Sequence, residues 1–185
     1  MSLDAIALRA VIDECRPLVG AKVIGLDQDG PTEVTITLAG PDGRSALVIS
    51  VHPEYARLYR TGASRGSAGA SAFVTCLRDR LLGGIVVGLD AVPDERIAVV
   101  RCRVTTPAGE CSYRLIAELL GRQSALVFVD EGRQVVEMLR RVRTAGREVY
   151  PGERYEPPPR LDKTPLTAMR EEDLAGVAAA ETPES

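Results

Sequence analysis

Short runs of alternating apolar and polar residues, each followed by turn-forming residues, constrain the fold of this chain more than any other feature. Glu33-Val-Thr-Ile-Thr-Leu alternates as a half-buried strand does. Gly40-Pro-Asp-Gly then supplies a turn before a third run, Ala46-Leu-Val-Ile-Ser-Val. Two further runs, Lys22–Leu26 and Ala56–Arg60, extend the pattern on either side. The first third of the chain therefore predicts a meander of antiparallel strands.

Four more strands are predicted in the second half of the chain, where apolar runs again end at turn residues. They are Ile85–Leu89, Arg96–Thr105, Cys111–Leu119 and Ala125–Val129. Pro107-Ala-Gly forms the turn between the middle two, and Val135–Val142 fits either a strand or a helix. No internal repeat at a fixed period is visible.

Two amphipathic helices accompany the strands. The first spans about residues 4 to 18, with Asp4 as its N-cap, and the second spans Ser71–Leu82 and ends at Gly83-Gly84. The Gly-, Ser- and Ala-rich segment 62–70 between the halves reads as a loop, and it lacks the Gly-Lys-Ser/Thr ending of a P-loop. The elements together predict an α+β fold, an antiparallel β-sandwich flanked by helices.

The charge balance argues against a general polyanion binder and leaves room for a local basic patch. The formal net charge is −3, and 45% of the residues are hydrophobic, which suits one domain with a packed core. Almost all of the positive charge is arginine, since Lys22 and Lys163 are the two lysines. Arginine presents a planar fork that matches phosphates and stacks on bases, although a GC-rich genome also favours arginine codons.

Cysteine and histidine usage predicts neither a disulfide framework nor a metal site. The 4 cysteines form no Cys-x-x-Cys pair, and a zinc site would need more ligands than one histidine supplies. Cys102 and Cys111 flank a turn and could face each other as a reduced pair. His52, next to Pro53, is expected to cap or pack rather than to catalyse. We expect no metal and no cofactor.

The chain termini suggest a cytoplasmic protein with one main domain. No basic segment followed by an apolar run opens the sequence, and no apolar stretch is long enough to cross a membrane. Residues 1–150 form the predicted domain, 151–163 a Pro-rich linker, and 164–185 a short helical region or tail. That last piece, which is too short to be a domain, is interpreted either as the start of a truncated helical region or as a tail.

Five segments, taken in order, resemble the N-terminal domain of the NFACT family, whose members have carried the older name fibronectin-binding protein A. The segments lie between residues 3 and 160. They are Asp4-Ala-Ile-Ala-Leu-Arg-Ala, His52-Pro-Glu-Tyr-Ala-Arg-Leu, Phe73 through Leu82-Gly-Gly, Glu118-Leu-Leu-Gly-Arg-Gln-Ser with Val129-Asp-Glu, and Arg147-Glu-Val-Tyr-Pro-Gly-Glu-Arg-Tyr-Glu-Pro-Pro-Pro. Each segment alone is weak, but five in order with plausible spacing are specific.

The resemblance implies both a fold and a function. The fold would be similar to the N-terminal domain of formamidopyrimidine-DNA glycosylases. The function would be non-enzymatic RNA binding in ribosome-associated quality control: engagement of tRNA on a stalled large ribosomal subunit, in support of C-terminal alanine tailing of the nascent chain. The peptidyl-transferase chemistry would remain with the ribosome. The partners would be tRNA, the large subunit and further domains of a longer protein.

Three positions of the family pattern are tied to tRNA, and the resemblance places them on Asp4, Glu95 and Arg96. Glu95 stands where the family usually has Asp, which lengthens the side chain by one methylene, and Asp94 could serve instead. A carboxylate can orient an arginine fork, which then meets a phosphate or an unpaired base. Without the resemblance, Asp4 is simply a helix cap and Glu95-Arg96 a solvated turn.

A second set of candidates is a group of arginines with concentrated positive charge, on which RNA affinity could depend. It consists of Arg122, Arg140, Arg141, Arg143 and Arg147. Gly121-Arg122 matches a family pair, whereas Gln123 replaces a usual His and Ala125 a usual Asn. The alternative for the arginines near residue 140 is a solvated face.

Two other functions compete with RNA binding. A surface adhesin that binds fibronectin is suggested by the older family name, but no secretion signal or cell-wall anchor is visible. A DNA-repair-glycosylase-like nucleic-acid binder is suggested by fold similarity alone. The glycosylases use an N-terminal proline as nucleophile, where this chain has Ser2.

Overall fold

The computed structural model describes residues 4–62, 71–141, 143–144 and 146–159, and in these ranges two α-helices accompany a large antiparallel sheet. The helices are α1 (Ala5–Cys15) and α2 (Ala72–Leu81), with short 3₁₀ turns at Arg16–Leu18 and Gly121–Gln123. The strands are β1 (Lys22–Asp29), β2 (Glu33–Gly40), β3 (Gly43–Ser50), β4 (Arg57–Thr61), β5 (Ile85–Ala91), β6 (Ile97–Thr106), β7 (Gly109–Glu118), β8 (Ala125–Val129), β9 (Val135–Met138), β10 (Arg143–Thr144) and β11 (Arg147–Glu148).

The nine longer strands form one sheet in the order β4-β3-β2-β1-β5-β6-β7-β8-β9, with all neighbours antiparallel. The two halves of this sheet meet at a narrow seam. Strand β1 is paired with β5 through Lys22 and Ile85, whereas β6 and β7 are paired along their whole length from Ile97 to Thr106. The α+β fold predicted from the alternating runs is confirmed: the nine longer strands join into one hydrogen-bonded sheet, and β10 and β11 pair separately.

The strand order reveals a duplicated arrangement that a fixed-period search of the sequence misses. A helix followed by four meandering strands occurs twice, as α1 with β1 to β4 and as α2 with β5 to β8. The first strands carry matching segments, Val23-Ile-Gly-Leu-Asp27 and Val86-Val-Gly-Leu-Asp90, and each is irregular at its second residue. The repeat has no fixed period because the connection from the helix to the first strand is shorter in the second half and the hairpin of β6 and β7 is longer than that of β2 and β3.

Both halves of the sheet and both helices contribute to one hydrophobic core. Helix α1 contacts β4, β5 and β6, and α2 contacts β1, β6 and β9, so each helix spans the seam. Phe128 is the largest fully buried side chain, and it stacks near Tyr113 with ring centroids 5.2 Å apart. Aliphatic side chains fill most of the rest, as expected of a chain with no tryptophan. Within the described ranges, neither helix has the length and apolarity needed to cross a membrane.

The helix boundaries follow from local chemistry. Asp4 is the N-cap of α1, with its Oδ1 accepting from Ala7 N at 2.7 Å, as predicted. Ser71 caps α2 in the same way, accepting from Val74 N at 3.3 Å. Helix α2 ends before Gly83, whose φ of +83° suits glycine better than residues with a Cβ.

Two sequence expectations are settled by the register of the strands. Val135–Val142, left open between strand and helix, contains the strand β9 (Val135–Met138). Cys102 is paired with Tyr113 and Cys111 with Val104. The two cysteines are therefore offset by two positions in the strand register, and the expectation that their thiols face each other directly is wrong. The predicted 62–70 loop beyond residue 62, Ser2, and the region from residue 160 onward lie outside the described residues.

Candidate nucleic-acid interface

Three connections meet at one end of the sheet, and we call them together the loop end: residues 51–56, 92–96 and 119–124. The turn 92–96 is joined to the third connection because Leu119 N donates to Arg96 O at 2.8 Å. The first and third connections lie side by side, since a Cβ added to Gly121 would come within 3.6 Å of Pro53 O. Segments that are far apart in the sequence are therefore neighbours at the loop end.

Arg140 joins two of these connections, 51–56 and 119–124, through hydrogen bonds. Its Nη1 donates to Val51 O at 2.9 Å and to Ser124 O at 3.1 Å, and its Nη2 lies 3.4 Å from Arg122 O. These carbonyl groups belong to loops, where no sheet ladder satisfies them. The guanidinium of Arg140, predicted as an RNA contact, is thus engaged with the backbone of the protein.

The turn 92–96 carries the candidate tRNA-binding pair. It is closed by Val92 N donating to Ile97 O at 2.9 Å, and Glu95 N donates back to Val92 O at 3.2 Å. Asp94 is exposed and has a φ of +60°, an uncommon conformation for a residue with a side chain. Glu95 and Arg96 are half-buried. The backbone thus presents three charged side chains in succession at the rim of the loop end.

The remaining tRNA candidate, Asp4, is exposed at the start of α1. Its Oδ1 accepts from Ala7 N at 2.7 Å, the bond that caps the helix. The residues after α1 return to the start of β5, where Gly20 N donates to Val86 O at 2.7 Å. The segment that follows α1 therefore lies beside the start of β5, whereas the turn 92–96 follows the end of β5.

Of the other candidate arginines, Arg122 and Arg141 are exposed. The carbonyl oxygen of Arg122 accepts a hydrogen bond from Arg140, and Arg141 is the next residue after Arg140 in the chain. Arg143 lies in β10 and pairs through its backbone with Glu148, and its side chain lies outside the described set. Arg122 and Arg141 are accordingly the described arginines of this group that are available to a phosphate backbone.

Arg147 is buried, and sequence reasoning missed its role. Its Nη1 and Nη2 donate to Glu118 Oε2 and Oε1 at 3.0 and 2.6 Å, and both side chains are nearly removed from solvent, at 9% and 0% exposure. Tyr155 Oη donates to the same Oε1 at 2.8 Å, and Arg147 also bonds to Glu156 O. Arg147 is therefore not positioned to contact RNA, because its charge is used to hold Glu118 inside the protein.

Burial and the ion pair with Glu118 shift the pKa of Arg147 and of Tyr155. Burial by itself lowers the pKa of Arg147, but the hydrogen bonds and charge of Glu118 outweigh it and the pKa is raised. Burial, with the neighbouring Glu118 carboxylate, raises the pKa of Tyr155 well above its usual range. The arginine stays charged and the phenol stays protonated, so both remain donors to Glu118. The signal in the sequence was the acidic residue that ends the otherwise apolar run Leu115–Glu118.

Tyr155 belongs to the segment predicted to begin the linker, and the structure attaches that segment to the sheet. Val135 N donates to Glu153 O and Gly152 N to Val135 O, both at 2.7 Å, and Tyr155 N donates to Arg133 O. Tyr155 is 5% exposed and packs in a second hydrophobic cluster with Ile97 and Val127. The packed structure thus continues to about residue 156, beyond the boundary predicted at residue 150.

Fold and loop end together define an α+β domain of antiparallel strands whose charged connections gather at one end. A sequence model described as the NFACT N-terminal and middle domains matches residues 4–183. The chain belongs to the NFACT family, as its five short segments predicted.

Individual relatives agree with this assignment. The chain is 24% identical to a Streptococcus pneumoniae protein named Rqc2 homolog RqcH and 25% identical to the Bacillus subtilis protein of the same name, in each case over 94% of the chain. It spans about a third of the length of these relatives, 33% and 32% respectively.

Solved structures show the same fold. The N-terminal domain of fibronectin-binding protein PavA from Streptococcus pneumoniae matches with a TM-score of 0.81 at 22% identity, covering 97% of this chain and 69% of that one. The N-terminal part of the fibronectin/fibrinogen-binding protein from Streptococcus suis matches with a TM-score of 0.84 at 21% identity, covering 98% and 70%. At these identities the likeness describes the fold.

Proposed function

We propose that this chain is the RNA-binding domain of a ribosome quality-control factor, one that engages tRNA on stalled large ribosomal subunits and supports alanine tailing of nascent chains. The domain would bind and orient RNA while the ribosome performs the chemistry, so no catalytic residue, metal or cofactor is assigned. Relatives named Rqc2 homolog RqcH support the quality-control role, and the chain would supply about a third of such a protein.

The observation that carries the proposal is the convergence at the loop end. The turn that holds Glu95 and Arg96 is bonded to the connection that holds Arg122, and that connection is also bonded to Arg140, the chain neighbour of the exposed Arg141. In a chain of net charge −3, the exposed Arg122 and Arg141 near Arg96 are the kind of local patch that a phosphate backbone recognises. Glu95 would orient Arg96, which would then contact a phosphate or an unpaired base.

The matching experiment is fluorescence anisotropy of labelled tRNA titrated with the whole chain across a salt series. We expect affinity to fall as salt increases, because phosphate contacts release counterions. Arg96→Ala should lower the affinity strongly. Arg44→Ala is the matched control, since Arg44 is exposed near the hairpin Gly40–Gly43, at the opposite end of β2 and β3 from the loop end.

Two outcomes would contradict the proposal. One is the absence of tRNA binding even at low salt, both for this chain and for a longer protein that contains it. The other is binding that Arg96→Ala and Arg44→Ala weaken equally, because the arginine at the loop end would then have no special role. Binding of fibronectin by the chain, with no binding of tRNA, would favour the adhesin instead.

A further inference from the structure

A polar cavity of about 270 Å³ opens beside the loop end, in the first half of the duplicated fold. We call it the His52 pocket. Its lining residues come from the end of β1, the turn and strand that follow, the end of β3, the connection from β3 to β4, and the start of β4. They are Asp29, Thr32, Glu33, Ser50, His52, Tyr55 and Arg57. The motif His52-Pro-Glu-Tyr, which the proposed RNA contacts leave unused, thus forms one wall of a cavity.

The charge in the His52 pocket favours hydrogen-bond donors over phosphates. Glu33 is 8% exposed, and its Oε2 is paired with Arg57 Nη2 at 3.2 Å. Its other oxygen, Oε1, has no hydrogen-bond partner among the described residues. With Asp29 also in the lining, the two carboxylates outnumber the one arginine. A ligand here gains from amino or imino groups that donate to Glu33, whereas a phosphate meets net negative charge.

An aromatic pair gives the same pocket a flat surface. The rings of His52 and Tyr55 are stacked, with centroids 5.1 Å apart and an angle of 25° between their planes. Glu54 N donates to His52 Nδ1 at 3.2 Å, which fixes the imidazole and leaves Nε2 as its donor in the neutral ring. Tyr55 is 52% exposed, so a ring face remains open to a planar ligand. Stacking on such a ring is the usual way in which proteins hold unpaired bases.

The duplication relates the His52 pocket to the turn 92–96. Val51 N donates to Thr32 O at 2.8 Å, and in the second half Leu119 N donates to Arg96 O at 2.8 Å. Thr32 therefore occupies in the first repeat the place that Arg96 occupies in the second. Both turns adjoin connections that Arg140 ties together. An RNA that contacts Arg96 is thus close to the His52 pocket.

We infer that the His52 pocket binds one unpaired nucleobase of the RNA, with the base stacked on Tyr55 and its donor edge on Glu33. Guanine fits this description best, because its N1–H and N2–H₂ groups are adjacent donors that a carboxylate can accept, whereas uracil places a single donor between two acceptors. The inference rests on the proposed RNA-binding function and adds to it a second contact that selects a base.

The test uses the single histidine of the chain as a reporter. Guanosine and, separately, uridine are titrated into the protein while the ring protons of His52 are followed by NMR. We expect guanosine to shift these signals saturably and uridine to leave them almost unchanged. Glu33→Gln and Tyr55→Ala should each weaken guanosine binding about tenfold or more. Glu54→Gln is the matched control, because Glu54 is exposed in the same loop and outside the pocket lining.

Using two variants of the pocket keeps the test interpretable if one of them unfolds. Glu33→Gln alters a buried ion pair and is checked by urea unfolding, whereas Tyr55→Ala changes an exposed ring and keeps the test valid if the first variant unfolds. Equal shifts with guanosine and uridine, no shift with either, or an equal response to an arginine-containing dipeptide would overturn the inference. The last result would point to a protein side chain as the occupant.

The two proposals fail in different ways when tRNA anisotropy is measured on the same variants. If Arg96→Ala weakens tRNA binding while Tyr55→Ala and Glu33→Gln do not, the pocket inference is overturned and the proposed function stands. If the wild type shifts with guanosine but neither this chain nor a longer protein that contains it binds tRNA, the proposed function is overturned. Loss of tRNA affinity in all three variants, with Glu54→Gln unchanged, supports both.

Discussion

Arg147 and Glu118 form a two-bond ion pair inside the protein, with N–O distances of 3.0 and 2.6 Å. Glu118 is the last residue of β7 and Arg147 is the first residue of β11, so the pair joins these two strands. Tyr155 and the carbonyl group of Glu156 complete the arrangement. Replacing both residues of such a buried pair with well-packed apolar residues usually changes stability little. Removing only one partner, however, leaves a buried charge without compensation.

Arg147→Ala should therefore destabilise the protein by about 3–5 kcal/mol, since Glu118 is fully buried. The measurement is the free energy of unfolding in urea. Arg9→Ala, on the exposed side of α1, is the control and should change it by less than about 0.5 kcal/mol. Tyr155→Phe removes one hydrogen bond to Glu118 and should cost about 1–2 kcal/mol. Equal stability of Arg147→Ala and the wild type would show that Glu118 finds another partner.

Arg140 and Arg141 are chain neighbours for which we expect opposite behaviour. Arg140→Ala removes the donor from carbonyl groups of two loops and should cost about 1–3 kcal/mol of stability. Arg141→Ala changes an exposed side chain and should leave stability unchanged, while lowering by about one the slope of log affinity against log salt for tRNA. Unfolding curves and anisotropy on both variants make the comparison. A salt slope that Arg141→Ala does not alter would remove this residue from the interface.

Asp4 has a capping role in the structure and a proposed role with tRNA, and one pair of variants separates them. Asp4→Asn keeps the cap because asparagine is an equally good N-cap, whereas Asp4→Ala loses it and about 1 kcal/mol of stability. If the carboxylate also serves tRNA binding, Asp4→Asn lowers tRNA affinity at unchanged stability. Full tRNA affinity in Asp4→Asn would leave the residue as a cap alone.

Burial raises the pKa of the Cys102 thiol from its ordinary value of 9.0 to about 12. The unfolded chain releases this proton first, so the stabilising contribution is complete below pH 9.0 and is lost as the pH rises toward about 12. Across that window the free energy of unfolding should fall by about 1.4 kcal/mol per pH unit for this group. Cys102→Ala should show a smaller fall than the wild type when urea unfolding is compared at about pH 8 and about pH 10.5. Parallel curves for the two proteins would refute the assignment.

The strands and helices could be predicted from the sequence because their signals are local. Alternation in Glu33–Leu38, the turn at Gly40–Gly43 and the caps at Asp4 and Ser71 depend on neighbours in the chain, and the structure retains them within a few residues. The continuity of the sheet across Lys22 and Ile85 depends on a contact between distant segments, which no local pattern encodes.

Candidate residues for the site could be named from the sequence, but the contacts that each one makes could not. Arg140, Arg141 and Arg147 look alike in the sequence, yet their roles differ because of what each one meets in the fold. Arg140 meets loop carbonyl groups, Arg147 meets the buried carboxylate of Glu118, and Arg141 meets solvent. The His52 pocket was missed for the same reason, since Glu33 and His52 come together through strand pairing. A charge pattern can locate an interface but cannot say which of its charges are already used.

The duplicated helix and meander has a consequence for how such a domain changes over generations. In a fold built of two similar halves, the residues of one turn can change while the corresponding turn of the other half stays as it is. Here one half carries the charged turn that contains Asp94, and the corresponding turn of the other half borders a cavity with an aromatic wall. Substitutions in one turn can therefore leave the other turn intact, so the two surfaces can vary independently on one scaffold.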